Sequence, residues 1–192
     1  MLTLYLAPGA SSMAPHIALH EVGAEFEARP VSFAKKEQRR PEYLAINPEG
    51  AVPTLVIDGR PLTEVAAILL YIARRFPDAG LSPGNDPEAE AHVVSWMSFI
   101  ASTVHPARRR GLDFAKEIYK RADDRLGPGE WTVGRYSIAD IHLFRLFWRF
   151  RNSFHPPESD FPNLTAHYHR VMARPAVKKT LEMEAAIGYE LP

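Results

Sequence analysis

The stretch Asn47–Ile72 reads NPEGAVPTLVIDGRPLTEVAAILLYI, and its periodicity changes along the way. Asn-Pro-Glu-Gly is turn chemistry, because proline fixes φ and glycine reaches conformations other residues avoid. Ala51–Asp58 (AVPTLVID) is apolar and rich in β-branched residues, Gly59-Arg60 turns the chain, and Pro61–Thr63 starts a short strand back. The period then becomes helical. In EVAAILLYIARRF, residues 64–76, Val65, Ile68, Leu69 and Ile72 share one stripe. A hairpin followed by an amphipathic helix implies an antiparallel strand pair with a helix laid against it.

Upstream, Leu2–Leu6 (LTLYL) is a strand pattern. It runs through Pro8-Gly9 into a helix over 14–22, with Ile17, Ala18 and Leu19 apolar and Gly23 as its stop. FEARPVSF, residues 26–33, is a second strand, and Pro30 marks it as an edge or a bulge. KKEQRRPEYLAI is a loop and a short helix. The order β-α-β-α-β-β-α implies a parallel first pair, a right-handed crossover and an antiparallel closing strand. Downstream, strand patterns vanish. PDAGLSPGND is turn-rich, and a long helix is expected over 87–110, with Val93, Val94, Met97, Ile100, Ala101 and Val104 at helical spacing. Further helices are expected near 112–126, 137–151, 163–173 and 175–187. The expected division is an α/β domain over 1–77, a linker over 78–86 and an all-helical domain over 87–192.

The bulk numbers exclude several classes. The chain has 192 residues with 23 Lys+Arg and 23 Asp+Glu, so no global field draws it to nucleic acid or a membrane surface. There is no cysteine, which removes disulfides, thiolate metal sites and a cysteine nucleophile. The N-terminus lacks a basic segment before its apolar stretch and reads as a first strand, with a cytoplasmic location expected. His167-Tyr168-His169 offers poor chelation, since helical neighbours two apart face different ways. No metal is expected.

Four places carry candidate chemistry. Ser11 and Ser12 stand where a strand hands over to a helix start. Such a hydroxyl either caps the helix or meets an anion drawn to the helix dipole. If the anion is a ligand thiolate, lowering a thiol pKa of about 8.5 by two units takes about 2.7 kcal/mol. One hydrogen bond to the charge supplies about 1.5–3 kcal/mol, and the dipole about 0.3–1 kcal/mol more. Val52-Pro53 is either a trans proline opening a strand or a cis bond that frees the Val52 backbone for an extended ligand. Thr63 is a candidate N-cap with Glu64 in the first helical turn. Glu64 either complements the dipole or receives an ammonium while free N–H groups receive a carboxylate. Lys35 and Lys36 are a solvated pair or a clamp for a ligand carboxylate. Arg108-Arg109-Arg110 is a solvated helix end or a contact for an anionic co-substrate. Trp96, Phe147 and Trp148 are core residues or walls of a second-substrate site.

The stretch from Asn47 to Ile72, together with WTVGRYSIADIHLF at 131–144, resembles the cytosolic glutathione transferases, and the resemblance covers nearly the whole chain. In the second segment Ser137 and Asp140 have capping-box spacing, and Tyr136 and Ile141 can form a hydrophobic staple. LYLAPGASSMAPHIAL and His105-Pro106 are most similar to the bacterial beta class, with Ser11 where that class usually has cysteine. The resemblance implies a thioredoxin-like domain followed by a helical one, a cis Val52-Pro53 bond and a homodimer. It implies a detoxifying conjugation of glutathione, as co-substrate, to a hydrophobic electrophile. Ser11, with Ser12 and Tyr5 as further donors, would face the sulfur beside Ala10. Val52 and Pro53 would meet the cysteinyl backbone, Glu64 and the Val65 N–H the γ-glutamyl end, and Lys35 or Lys36 the glycyl carboxylate. His105 would line the electrophile site. The missing cysteine disfavours thiol exchange, and Val65 lacks the hydroxyl of the serine often found after Glu64. The alternatives are a non-catalytic homologue, or a glutathione-dependent isomerase, dehalogenase or ether-cleaving enzyme.

Overall fold

The computed structural model describes residues 1–190. Four strands, β1 (Leu2–Leu6), β2 (Glu27–Pro30), β3 (Thr54–Ile57) and β4 (Arg60–Thr63), form one sheet in the order β2-β1-β3-β4. β1 and β2 are parallel, as the crossover requires, and β3 runs antiparallel to both β1 and β4. Helices α1 (Met13–Glu21), α2 (Pro41–Leu44) and α3 (Val65–Arg75) complete the first part of the chain. Strand alternation sends Leu4, Leu6 and Leu55 into the core with Ile17, Leu19, Ile68 and Ile72, all fully buried. This is the thioredoxin-like βαβαββα arrangement expected from the sequence.

The remainder is helical: α4 (Pro87–Phe99), a π-helical stretch Ile100–Val104, α5 (His105–Ala107), α6 (Leu112–Leu126), α7 (Ile138–Phe154), α8 (Pro162–Met172) and α9 (Pro175–Ile187). The long helix expected over 87–110 is thus interrupted. Pro106 brings no N–H and crowds the carbonyl four residues back, and the turn before it widens into the π form. The buried stripe of α4 is Val93, Trp96 and Met97, continued by Ile100 and Val104, whereas Val94 is 46% exposed. Phe147 and Trp148 of α7 are buried in the helical core. The capping box of α7 is present: Ser137 Oγ accepts the Ala139 N–H at 3.2 Å, and Asp140 accepts the Ser137 N–H at 2.8 Å.

By their contacts the residues form two units, Pro77–Arg174 on one side and Met1–Phe76 with the segment from Pro175 onward on the other. The boundary at 76/77 is close to the sequence expectation, but α9 falls with the sheet and not with the helices. Its physical reason is local. The α9 side chains Glu184 and Thr180 are fully buried and bond to residues of the β1–α1 region. Within the helical unit the turn-rich segment is tied down: Arg135 donates to Gly80 O at 2.7 Å, and the Ile138 N–H to Leu81 O at 3.1 Å.

Candidate functional site

The sheet register brings four loops to one end. Tyr5 of β1 is paired with Arg29 of β2 on one side and Thr54 of β3 on the other, and Thr54 is paired with Thr63 of β4. The loops that leave or reach this row are Ser32–Lys36 after β2, Ala7–Ser12 after β1, Ala51–Pro53 before β3, and Glu64 after β4. Lys35, Ser11, Val52 and Glu64 therefore follow one another across the sheet end in strand order. Three strand spacings make this row about 14 Å wide.

In the β1–α1 loop the two serines part company. Ser12 is fully buried; its hydroxyl accepts the Ala7 N–H at 3.0 Å and donates to Ala7 O at 3.1 Å. It makes no side-chain cap, although it holds the N-cap position of α1. Both roles expected of Ser12, cap and sulfur donor, are corrected: its hydroxyl is consumed in clamping the loop to the end of β1. Ser11 is half-buried, and among the described residues its hydroxyl makes no hydrogen bond. The backbone N–H groups of Ser11 and Ser12 are likewise uncommitted. Ala10 closes the turn through its N–H to Ala7 O at 2.9 Å. One hydroxyl and two N–H groups thus stand at the dipole end of α1.

Tyr5 leaves the set. Alternation turns it to the face opposite Leu4 and Leu6, where its ring meets Tyr43 at 5.5 Å and its oxygen accepts from Arg29 Nη1 at 2.9 Å. On that face Tyr5, Pro30, Val31, Glu37, Arg40 and Tyr43 line an open pocket of about 270 Å³. The Val52–Pro53 bond is cis. Pro53 is buried and Val52 half-buried.

Glu64, not Thr63, is the N-cap of α3; Thr63 ends β4. The Glu64 backbone has φ 67° and ψ 123°, a conformation that non-glycine residues rarely hold. Its side chain is exposed and makes no cap hydrogen bond. Val65 follows, 8% exposed, and its backbone N–H is one of the first-turn donors a helix leaves unpaired. Lys35 and Lys36 are exposed; Lys36 is left-handed at φ 52°, and the Lys35 N–H donates to Ser32 Oγ at 3.1 Å. Glu190 accepts from Ser32 Oγ at 2.8 Å and from the Ala34 N–H at 3.0 Å, so a carboxylate already sits on the lysine loop. These bonds, with the Ala34 N–H first, hold the Glu190 carboxyl below its ordinary range.

His105 belongs to the helical unit, half-buried just after the π turn. Desolvation, then the charges of Arg145, Arg109 and Arg108, push its pKa down to about 4. The imidazole is neutral at pH 7, so it can donate or accept one hydrogen bond but brings no positive charge. Beneath it His142 is 3% exposed and pushed down to about 3, first by burial and then by His105 and Arg145. His167 is bound to Asp140 Oδ1 at 3.0 Å. Among the described residues no cluster of three or more metal-ligating groups occurs.

The pairing of Glu184 with the β1–α1 loop is the part of the neighbourhood that the sequence did not reveal. Nothing in LEMEAAIGYE marks one glutamate as buried. The only hints are a glycine N–H and a core histidine upstream, both in need of an acceptor.

The chain matches the family model described as glutathione S-transferase, N-terminal domain, over residues 1–74, and that described as glutathione S-transferase, C-terminal domain, over residues 110–184. It is 31% identical to glutathione S-transferase GST-4.5 of Xanthomonas campestris pv. campestris, over 95% of this chain and 98% of that protein. The bacterial beta class glutathione S-transferase of Sphingomonas chungbukensis is 36% identical, with a TM-score of 0.83 over 95% of this chain and 98% of that one. A sphingomonad glutathione S-transferase complexed with glutathione superposes with a TM-score of 0.87 at 33% identity, over 95% and 98% of the two chains. Both halves of one family's architecture are thus present in the family's order, and the chain belongs to the glutathione S-transferase family.

Proposed function

We propose that the chain conjugates the thiolate of glutathione to a small apolar electrophile. The observation that carries the reading is the order of the four loops across the sheet end. An extended tripeptide is about 10–11 Å long, and the γ-linkage of glutathione lengthens it towards the width of the row. Laid along it, the glycyl carboxylate reaches Lys35, with Lys36 beside it. The cysteinyl backbone pairs with the Val52 peptide next to Pro53. The γ-glutamyl ammonium meets Glu64, and its carboxylate the Val65 N–H. The sulfur then falls at the start of α1, where the Ser11 hydroxyl and the N–H groups of Ser11 and Ser12 have no other partner among the described residues.

This arrangement stabilises the thiolate without a base. A hydroxyl donor to a charged sulfur and the helix end together supply the roughly 2.7 kcal/mol that a two-unit pKa drop requires. The thiol proton goes to solvent. The thiolate lone pair attacks the electrophilic carbon, a thioether bond forms, and the leaving group departs with its electron pair. Neutral His105 remains the candidate for a hydrogen bond to the electrophile. A homodimer in the cytoplasm accords with the family resemblance; sedimentation giving twice the chain mass would support the dimer.

The test is calorimetric titration with glutathione and with S-methylglutathione, then Ser11→Ala. Saturable binding of the free thiol with proton release near neutral pH supports the reading. Silence with both ligands at millimolar concentration rejects it. An unchanged thiol pKa in Ser11→Ala would remove Ser11 from the mechanism and leave the two N–H groups. A panel of isomerisable, halogenated and ether substrates separates conjugation from the other thiolate chemistries.

A further inference from the structure

The loop Ser32–Lys36 carries both candidate lysines, yet its polar donors already hold a carboxylate that the protein supplies itself. Glu190 follows α9 and belongs to the same unit as the sheet. One of its carboxylate oxygens accepts from Ser32 Oγ at 2.8 Å. The other accepts from the same hydroxyl at 3.0 Å and from the Ala34 N–H at 3.0 Å. The Ala34 N–H and then the Ser32 hydroxyl hold this carboxyl below its ordinary range, with smaller help from the Phe33 N–H and the Lys35 charge.

The loop is built to present those donors. The Ser32 N–H donates to Glu37 Oε2 at 2.9 Å, and the Glu37 N–H returns to Ser32 O at 2.9 Å. The Lys36 N–H donates to Phe33 O at 3.0 Å, and Lys36 turns the chain at φ 52°. Ser32 Oγ accepts the Lys35 N–H at 3.1 Å, which leaves its own proton for the carboxylate. Neighbouring N–H groups and a hydroxyl that converge on one point make an anion-binding concavity. The occupant adds little to the fold: Glu190 is exposed, and contacts of exposed charges contribute little to stability. A carboxylate held by three hydrogen bonds, yet open to water, is easily exchanged for another carboxylate.

We propose that Glu190 competes with the glycyl carboxylate of glutathione for the Ser32–Lys35 loop, so that the protein's own side chain sets how much glutathione is needed to fill the site. The inference rests on the placement of the glycyl end at Lys35 given above. Glutathione brings a second negative charge to a loop that already holds one. Glu190 must leave its donors, and the glycyl carboxylate takes them together with the Lys35 ammonium. If Glu190 covers the loop about 70–80% of the time, the apparent Kd for glutathione lies about three- to fivefold above that of the uncovered loop.

The test is calorimetric titration of the wild type and of Glu190→Ala, each with glutathione and with γ-glutamylcysteine. The second peptide lacks the glycyl residue and ends about 3.5 Å short of the loop. Glu190→Ala should lower the Kd for glutathione about three- to fivefold and leave that for γ-glutamylcysteine within about 1.5-fold of the wild type. Glu190→Gln keeps the reach without the charge and should fall between the two. The Ala34 amide should exchange faster in free Glu190→Ala than in the free wild type, and glutathione should slow it again in the variant. The proposal is overturned if glutathione binds Glu190→Ala no more tightly than the wild type. Weaker binding would make Glu190 a support of the loop, and an equal gain for both peptides would place its effect away from the glycyl end; either result also overturns the proposal. If neither protein binds either peptide, the glutathione reading itself fails and this inference falls with it; if both bind glutathione equally, only this inference falls.

Discussion

The sheet unit leaves polar groups open at one end of its sheet; the helical unit spends its buried carboxylates on its own core. At the sheet end the Ser11 hydroxyl, two N–H groups and the Glu64 carboxylate make no hydrogen bonds among the described residues. In the helical unit Asp140 is fully buried and accepts from Ser137, Thr132 and His167. Asp123, 1% exposed, accepts the Leu164 N–H at 2.8 Å and the Asn163 amide at 3.2 Å. A unit that binds by backbone atoms and helix ends recognises a ligand common to a family. A unit whose polar groups are spent on its own core can vary its surface residues without loss of fold.

The contrast can be broken most forcefully at Asp140. Asp140→Ala strands two backbone N–H groups and a buried histidine, and should cost about 3–5 kcal/mol in chemical denaturation. If glutathione binding survives in the remaining folded fraction, the sheet unit's site is independent of helical stability. Acid acts on the same unit next. Below about pH 6.5 an unfolded histidine takes a proton, while folded His142 stays neutral down to about 3. Stability is thus fully present above pH 6.5 and falls by about 1.4 kcal/mol per pH unit for this one group as pH drops. His105 and His20, both pushed down to about 4, act in the same direction. His142→Leu should make the acid slope shallower by about one proton, and an unchanged slope would move the effect elsewhere.

Within the β1–α1 loop the contrast sharpens to neighbouring hydroxyls. Ser11→Ala should lower kcat/KM for glutathione about 10–100-fold, or about 1.4–2.7 kcal/mol, with little change in stability. Ser12→Ala should instead cost about 1–2 kcal/mol of stability, because the buried Ala7 N–H loses its acceptor while Ala7 O keeps only the Ala10 N–H. The reverse result would exchange their roles. The smallest effect is expected at Val65→Ser, which adds a hydroxyl at the start of α3. It should tighten glutathione about two- to fivefold, or about 0.4–1 kcal/mol, measured by titration.

What was legible followed local physics. The hairpin, the α3 stripe and the Ser137–Asp140 box are written in spacing, and the structure keeps them. Thr63 was a sound cap on propensity, but β4 needs it as its last ladder residue, and Glu64 takes the turn at positive φ. Ser12 carries the right residue type for a cap, yet its hydroxyl turns back to bond the N–H and the carbonyl of Ala7 at the buried end of β1. Pro106 was a visible warning against an unbroken helix over 87–110. Val94 sits at helical spacing beside Val93, and only tertiary packing decides which of the two is covered. The attachment of α9 was illegible for a related reason: its burial depends on partners that lie far away along the chain.

That attachment affects how the protein is made. The unit that contains Ser11 is split in sequence, with Pro77–Arg174 standing between its two parts like an inserted domain. At ribosomal rates of roughly 5–20 residues per second, the insertion takes about 5–20 s to emerge. Throughout that interval the β1–α1 loop exists without its anchor. The nascent chain can complete its helical unit before its older half, and a stop codon between residues 174 and 184 would yield a protein whose first-made part is the one left unfinished.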